Sequence, residues 1–213
     1  MNLTQELNAF KEQFKTSQPE EIKAVMAQAT IDLIDSQLAE NSLGEGDKIP
    51  NFSLPNAVGK EVTLESLLNK GALVISFYRG GWCPYCNMEL RALQQALPEI
   101  EANGATLVAI SPETPDNSLS TQEKNELTFE VLSDRNNLLA KQLGLVFTLP
   151  ESLRPIYSNF GIDIPAHNGD RTFELPLPAT YVVAADGTVI YRFATGDYTE
   201  RLDPAEIVKV LKK

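Results

Sequence analysis

Two cysteines three residues apart are the residues of this sequence best suited to chemistry. Cys83 and Cys86 are the only cysteines of the chain, within Gly80-Gly-Trp-Cys-Pro-Tyr-Cys86. A structural disulfide is not expected, because so short a loop constrains the unfolded chain little. A zinc site normally needs four ligands, and the one histidine, His167, lies 81 residues beyond Cys86. The pair therefore predicts reversible thiol–disulfide chemistry, with no metal and no cofactor.

The elements on either side of the pair favour a reactive thiolate. Residues 72–78 form a continuous apolar run, as in a buried strand, and residues 84–103 carry apolar side chains at helical spacing. Pro84 suits the first turn of that helix. Because the free N–H groups at a helix start stabilise an anion, a cysteine placed there is held as the thiolate, its reactive form.

The order of the predicted elements indicates an α/β fold. The strand, helix and strand over residues 72–110 form a parallel crossover. Further elements are predicted along the rest of the chain: a strand over 129–132, a helix over 136–143, a β-hairpin with strands over 180–184 and 188–193, and a last helix over 204–213. We therefore expect a thioredoxin-like fold with a central mixed sheet flanked by helices.

The N-terminal segment is predicted to be a separate helical element. Residues 19–41 carry apolar residues at spacings of three and four, and a Gly-rich turn follows them. We expect an N-terminal helical extension over residues 1–45 and a domain over residues 46–213. The extension either packs on its own domain or acts as a dimerisation arm or lid, so a homodimer is one expected assembly.

Composition excludes several classes of partner. The formal charge of −11 opposes binding to nucleic acid, whose phosphates would be repelled. The sequence contains no apolar run of about 18 residues that would span a bilayer, and its start does not resemble a signal peptide. We expect a cytoplasmic protein that binds neither nucleic acid nor membranes.

From Gly46 onward, about three quarters of the chain resembles a peroxiredoxin. The motifs that carry the resemblance are, in chain order, Gly46-Asp-Lys-Ile-Pro-Asn-Phe-Ser-Leu54, Phe77-Tyr78, Glu89-Leu90, Ala109-Ile-Ser111, Leu132-Ser-Asp134, Thr180-Tyr-Val-Val183 and Asp186-Gly187. They are similar to those of the alkyl hydroperoxide reductase and thiol-specific antioxidant group, here with a Cys-Pro-Tyr-Cys site. The resemblance implies a thiol peroxidase with a hydroperoxide substrate and an external reductant: thioredoxin, glutaredoxin or glutathione.

The peroxiredoxin pattern does not match at every position. Its peroxidatic cysteine falls on Cys86, its threonine on Cys83 and its proline on Arg79. Its later arginine falls at about Pro178, so the usual guanidinium is missing. Arg79 either supplies a compensating charge or is a solvated surface residue.

The segment Trp82–Cys86 also resembles a thioredoxin or glutaredoxin site, and that resemblance implies a different nucleophile. In it Cys83 attacks and Cys86 resolves, and Pro178 falls where a cis-proline faces the cysteines. The buried acid of thioredoxins has no match, since its position falls near Phe77. The alternative function is therefore a thiol–disulfide oxidoreductase, and a third is a non-enzymatic redox sensor. Because Cys83 is expected to be the more exposed cysteine, we expect it to attack disulfides while Cys86 meets peroxide.

Other residues near the pair have expected supporting roles. Glu89 follows Cys86 by one helical turn and is either part of a site network or an acid on the helix dipole. Trp82 and Tyr85 are expected to shape the docking surface or to pack as aromatics. His167 is expected to be a surface residue of a polar loop. The insertion over residues 148–170 either covers the site or pads the surface.

Overall fold

The computed structural model describes residues 2–213. Its helices are α1 (Leu3–Ser17), α2 (Glu20–Asp35), α3 (Leu64–Leu68), α4 (Pro84–Ala102), α5 (Pro115–Lys124), α6 (Leu138–Gln142), α7 (Arg154–Asn159), α8 (Ile164–Asn168) and α9 (Pro204–Leu211). Its strands are β1 (Ser53–Pro55), β2 (Glu61–Thr63), β3 (Ala72–Phe77), β4 (Ala105–Ser111), β5 (Glu130–Ser133), β6 (Val146–Thr148), β7 (Glu174–Pro176), β8 (Ala179–Val183) and β9 (Val189–Ala194).

The central element is a mixed sheet of five strands in the order β5-β4-β3-β8-β9. β3, β4 and β5 run parallel, whereas β8 lies antiparallel to β3 and is joined to β9 by the predicted hairpin. Helices cover both faces, which explains why β3 reads as a continuous apolar run: Leu73, Val74 and Ile75 are fully buried. The expected thioredoxin-like α/β fold is confirmed.

Helix α4 joins β3 to β4 and carries the cysteine pair at its start. The predicted apolar face of α4 is buried, with Leu90 and Ile100 wholly inaccessible. The turn before α4 is held in place because β3, which leads into it, is the central strand, and α4, which follows it, packs on the sheet.

The two N-terminal helices pack against the rest of the chain. Leu3 and Leu7 of α1 are buried in the cluster that includes α4, and Phe10 meets the Tyr85 ring edge-on at a centroid distance of 5.1 Å. Met26 of α2 is buried against Leu149 and its neighbours. The expected packing of the apolar stripe is therefore confirmed. The division into an extension over 1–45 and a domain over 46–213 stays a prediction.

The insertion is folded rather than irregular. β6 pairs with β7, and a 3₁₀ turn leads into α7 and α8. His167 consequently lies in α8, not in the polar loop that was expected. Within residues 2–213, no helix is both long and apolar enough to cross a membrane.

Candidate active site

The turn between β3 and α4 places both cysteines at a helix start. Cys83 is the N-cap of α4, Pro84 is its first residue and Cys86 lies in its first turn. The turn requires glycine at Gly80, where φ is +155° and an added Cβ would lie 2.2 Å from the Trp82 indole nitrogen. At Gly81 an added Cβ would lie 2.0 Å from the Thr121 hydroxyl oxygen. The two glycines thus allow the close packing that holds the pair in place.

Both cysteines are buried, so Cys83, which was expected to be the more exposed of the two, is scarcely more accessible than Cys86. Cys83 is 2% exposed and Cys86 is inaccessible. The Tyr85 and Tyr198 rings meet edge-on with their centroids 5.6 Å apart. Both pack in the cluster that contains Cys83. Phe10 of α1 extends this aromatic layer. Phe10 and Tyr198, which are distant in sequence, therefore help to cover the pair.

Arg201 places a positive charge against Cys86, and the sequence did not identify it. Its Nη2 donates a hydrogen bond to Cys86 Sγ at 3.1 Å, while its Nε donates to Glu89 Oε2 at 2.5 Å. Its Nη1 donates to the carbonyl oxygens of Tyr198 and Glu200. The guanidinium is therefore fixed by four acceptors. No local signal marks Arg201, since it stands 115 residues after Cys86 in a loop before α9.

Arg79 is also buried, which rules out the alternative of a solvated surface arginine. Its guanidinium carbon lies 5.0 Å from the centroid of the Trp82 ring, 5.7 Å from that of Tyr157 and 4.9 Å from that of Tyr198. Nη2 donates to the Tyr157 hydroxyl, and Nε has no hydrogen-bond partner within residues 2–213. An aromatic cage thus holds a cation that no described carboxylate neutralises.

Under the charges of Arg79 and Arg201, the two thiols share one negative charge unequally. Burial raises the pKa of Cys83, but a hydrogen bond from the Cys86 thiol and the charges of Arg79 and Arg201 outweigh it and lower that pKa to about 6. Burial, the hydrogen bond to Cys83 and the Cys83 charge raise the pKa of Cys86 well above its ordinary value. The arrangement therefore holds Cys83 as the thiolate and Cys86 as the thiol.

Glu89 lies inside this network. Burial raises its pKa to about 7, although Arg201 acts in the opposite direction. Ser76 Oγ donates a long hydrogen bond of 3.4 Å to Glu89 Oε1. Glu89 therefore orients Arg201 toward Cys86, which is one of the two roles expected for it.

The other aromatic residues of the motif line the site. Trp82 meets Tyr157 at 5.8 Å, so α7 of the insertion lies over the turn. Burial raises the pKa of Tyr85 to about 12, which keeps its hydroxyl protonated. Both side chains pack as aromatics, which was one of the two expected readings.

A buried carboxyl group that the sequence did not identify supports the turn between β3 and α4. Glu113 is inaccessible and accepts a hydrogen bond from the Gly81 amide at 2.9 Å. Its other oxygen lies 3.0 Å from Nδ1 of His167, whose side chain is 29% exposed. His167 thus pairs with a buried acid instead of standing free on the surface.

Pro178 differs from the expectation. None of the peptide bonds within residues 2–213 is cis, so the predicted cis bond between Leu177 and Pro178 is wrong. The Pro178 carbonyl accepts from the Thr195 amide at 3.3 Å, beside the β8–β9 pairing. Pro178 therefore opens β8 as an ordinary trans proline.

Comparison with known proteins places this chain in a family. The profile of the AhpC/TSA family matches residues 45–192. Peroxiredoxin Bcp of Escherichia coli (strain K12) is 31% identical over 105 residues, which are 49% of this chain and 67% of its own length. This chain spans about two thirds of the length of the Bcp relatives that it matches.

Solved structures share the fold at lower identity. Peroxidoxin BcpB of Mycobacterium tuberculosis gives a TM-score of 0.63 at 21% identity, over 80% of this chain and 97% of its own. A peroxiredoxin-like protein of Aquifex aeolicus gives 0.64 at 16% identity, over 82% and 89%. Since the family profile covers well over half of the sequence, this chain belongs to the AhpC/TSA family, the peroxiredoxins.

Proposed function

We propose that this chain is a thiol peroxidase that reduces hydroperoxides through Cys83 and Cys86, in a subgroup with a Cys-Pro-Tyr-Cys site. The observation that carries the proposal is the buried pair of guanidinium groups, Arg79 and Arg201, acting on two thiols that retain one negative charge. A thiolate is the nucleophile that peroxide reduction needs.

In the first step the Cys83 thiolate attacks the terminal oxygen of the hydroperoxide. An S–O bond forms as the O–O bond breaks, giving Cys83 sulfenic acid and an alkoxide. The alkoxide takes a proton from the Cys86 thiol, which is hydrogen bonded to Cys83 in the resting pair. The products are an alcohol and a Cys86 thiolate, whose charge Arg201 Nη2 stabilises at 3.1 Å.

In the second step the Cys86 thiolate attacks the sulfenic sulfur. An S–S bond forms, the S–O bond breaks, and hydroxide leaves and is protonated by solvent to water. Cys83 is the N-cap of α4 and Cys86 lies in its first turn, so the disulfide closes without moving another element.

An external dithiol recycles the disulfide. One of its thiolates attacks the disulfide, its second thiol releases the reduced enzyme, and the dithiol leaves as its own disulfide. Thioredoxin, glutaredoxin and glutathione are the candidate reductants, the last as two single thiols. The expected homodimer also stays a prediction.

The family match favours this function over a thiol–disulfide oxidoreductase. Cys83 is only 2% exposed in the reduced protein, which suits a hydroperoxide better than a protein disulfide as the oxidant. The charges around the pair support Cys83 as the nucleophile for peroxide. A hydrogen bond from Cys86 and the charges of Arg79 and Arg201 lower the pKa of Cys83 despite its burial, whereas the pKa of Cys86 is raised.

Stopped-flow oxidation of the reduced protein by hydrogen peroxide tests the proposal. We expect Cys86→Ser to form a sulfenic acid on Cys83, trapped by dimedone and located by peptide mapping, and Cys83→Ser to react far more slowly. If Cys86 is labelled in Cys83→Ser as fast as Cys83 is in Cys86→Ser, the assignment of the two roles is wrong. Turnover of a disulfide substrate but not of peroxide would instead establish the oxidoreductase.

A further inference from the structure

An apolar cavity of about 210 Å³ lies against Arg79. Two parts of the chain supply most of its wall: α2, and the segment from β6 to α7. The apolar side chains of the wall include Ala29 and Leu33 of α2, and Leu149, Leu153 and Tyr157 of the segment over residues 147–157.

Two residues connect the cavity to the surroundings of the reactive sulfur. Arg79 and Tyr198 both line the cavity. Tyr198 packs against the cluster that contains Cys83, and the Arg79 guanidinium lies 5.0 Å from the ring centroid of Trp82, the residue before Cys83. Arg79 is 2% exposed and its Nε lacks a hydrogen-bond partner within residues 2–213. A buried donor of this kind costs free energy unless a ligand satisfies it.

The size and polarity of the cavity indicate what fits there. A water molecule occupies about 30 Å³ of liquid, so about 210 Å³ is far more than hydrogen peroxide needs. The wall is mostly apolar, with Arg79 as the cation and Asp32 as the carboxylate among its lining residues. That combination suits a molecule with a compact apolar body and one polar end.

We propose that this cavity receives the organic group of the hydroperoxide, while Arg79 Nε donates a hydrogen bond to its peroxide oxygens. The inference rests on the proposed function and assigns its substrate selectivity to named residues. The ligand is a hydroperoxide carrying a compact aryl-alkyl group. The family profile begins at residue 45, so α2, which supplies Ala29 and Leu33, lies outside the matched region. The α2 side of the cavity is thus supplied by a part of the chain that the family match does not include.

A pair of matched substitutions on α2 tests this assignment. Ala29→Leu places a larger side chain in the cavity, whereas Ala27→Leu makes the same change at an exposed position of α2 that does not line it. We expect the ratio of kcat/KM for cumene hydroperoxide to kcat/KM for hydrogen peroxide to fall about tenfold in Ala29→Leu and to stay unchanged in Ala27→Leu. An unchanged ratio in Ala29→Leu would overturn the assignment.

A binding measurement without turnover provides the second readout. Trp82 is the only tryptophan and packs against Tyr157, which lines the cavity. Titration of the reduced protein with 2-phenyl-2-propanol, the alcohol product, should therefore change the Trp82 fluorescence in the wild type and in Ala27→Leu. We expect weaker binding by about tenfold in Ala29→Leu. Equal binding in all three proteins would contradict the cavity.

The two proposals fail in different ways. If the wild type reduces neither hydroperoxide, the thiol peroxidase function is wrong. If it reduces both and Ala29→Leu keeps the wild-type ratio, the function stands and the cavity assignment is wrong. Thermal unfolding of both leucine variants confirms that each compared protein is folded.

Discussion

Arg201 bridges Glu89 and Cys86, with Nε 2.5 Å from a Glu89 carboxylate oxygen and Nη2 3.1 Å from the Cys86 sulfur. All three side chains are buried. The planar guanidinium reaches both partners at once because its donors have a fixed fork geometry. The carboxylate therefore sets the direction from which the charge meets the sulfur. Arg201, which supplies this positive charge, lies outside the matched region 45–192.

Arg201→Lys should keep the charge but lose the bridge, because an ammonium on a flexible stem does not reproduce the fork. We expect kcat/KM for hydrogen peroxide to fall by about tenfold or more, while the far-ultraviolet circular dichroism spectrum is retained. The matched control is Arg171→Lys at an exposed position, which should behave as the wild type. Wild-type activity in Arg201→Lys would show that the bridge has no role in turnover.

Arg79→Gln should raise the pKa of Cys83 above its value of about 6, because one of the charges that stabilise the thiolate is removed. A thiol reacts only when deprotonated, so the rate of reaction with peroxide rises as pH rises through this pKa. In the variant we expect the same rise at higher pH. Titration by thiolate ultraviolet absorbance and the pH profile of peroxide reduction should shift together.

Two comparisons isolate the charge effect of Arg79. Arg79→Lys keeps a cation and should shift the profile less than Arg79→Gln. Arg171→Gln removes an exposed arginine and should leave the profile in place. A profile that is identical in Arg79→Gln and in the wild type would mean that Arg79 does not act on Cys83.

The features predicted from sequence are those with local signals. β3 was recognisable because a central strand is apolar on both faces, and α4 because its apolar residues recur every three or four positions. The β8–β9 hairpin was marked by Ala185-Asp-Gly187, and Gly187 has a φ of +83°. The position of Cys83 and Cys86 at a helix start followed directly from these elements.

The features that escaped prediction depend on long-range contacts. Arg201 meets Cys86 across 115 residues, and Glu113 meets Gly81 across 32. The burial of Cys83 depends on Tyr198 and on the N-terminal helices, which its own neighbours do not indicate. Pro178 shows the converse error: the resemblance carried over a backbone conformation that a proline permits but does not require.

Oxidation should join Cys83 and Cys86 in one reversible intramolecular disulfide. Both are free thiols in this structure, Cys83 at the N-cap of α4 and Cys86 in its first turn. Mass spectrometry after diamide treatment should show the loss of two hydrogens, reversed by dithiothreitol. Thiols that remain open to alkylation in the unfolded, oxidised protein would contradict the pairing, and Cys86→Ser is the matched control that cannot form it.

Glu113→Ala should weaken both the fold and the site, because it removes the acceptor of the Gly81 amide at 2.9 Å. An unsatisfied buried donor costs about 1–3 kcal/mol, which is the expected loss in the free energy of unfolding. Gly81 belongs to the turn that sets Cys83, so peroxide reduction should also slow. Glu113→Gln retains a carbonyl oxygen for Gly81 and should recover most of the stability and rate. Glu123→Ala, at an exposed position of α5, is the matched control and should change neither. Denaturant unfolding and stopped-flow peroxide reduction measure the two effects. If Glu113→Gln lost as much as Glu113→Ala in both assays, the hydrogen bond to Gly81 would not be the reason for the Glu113 effect.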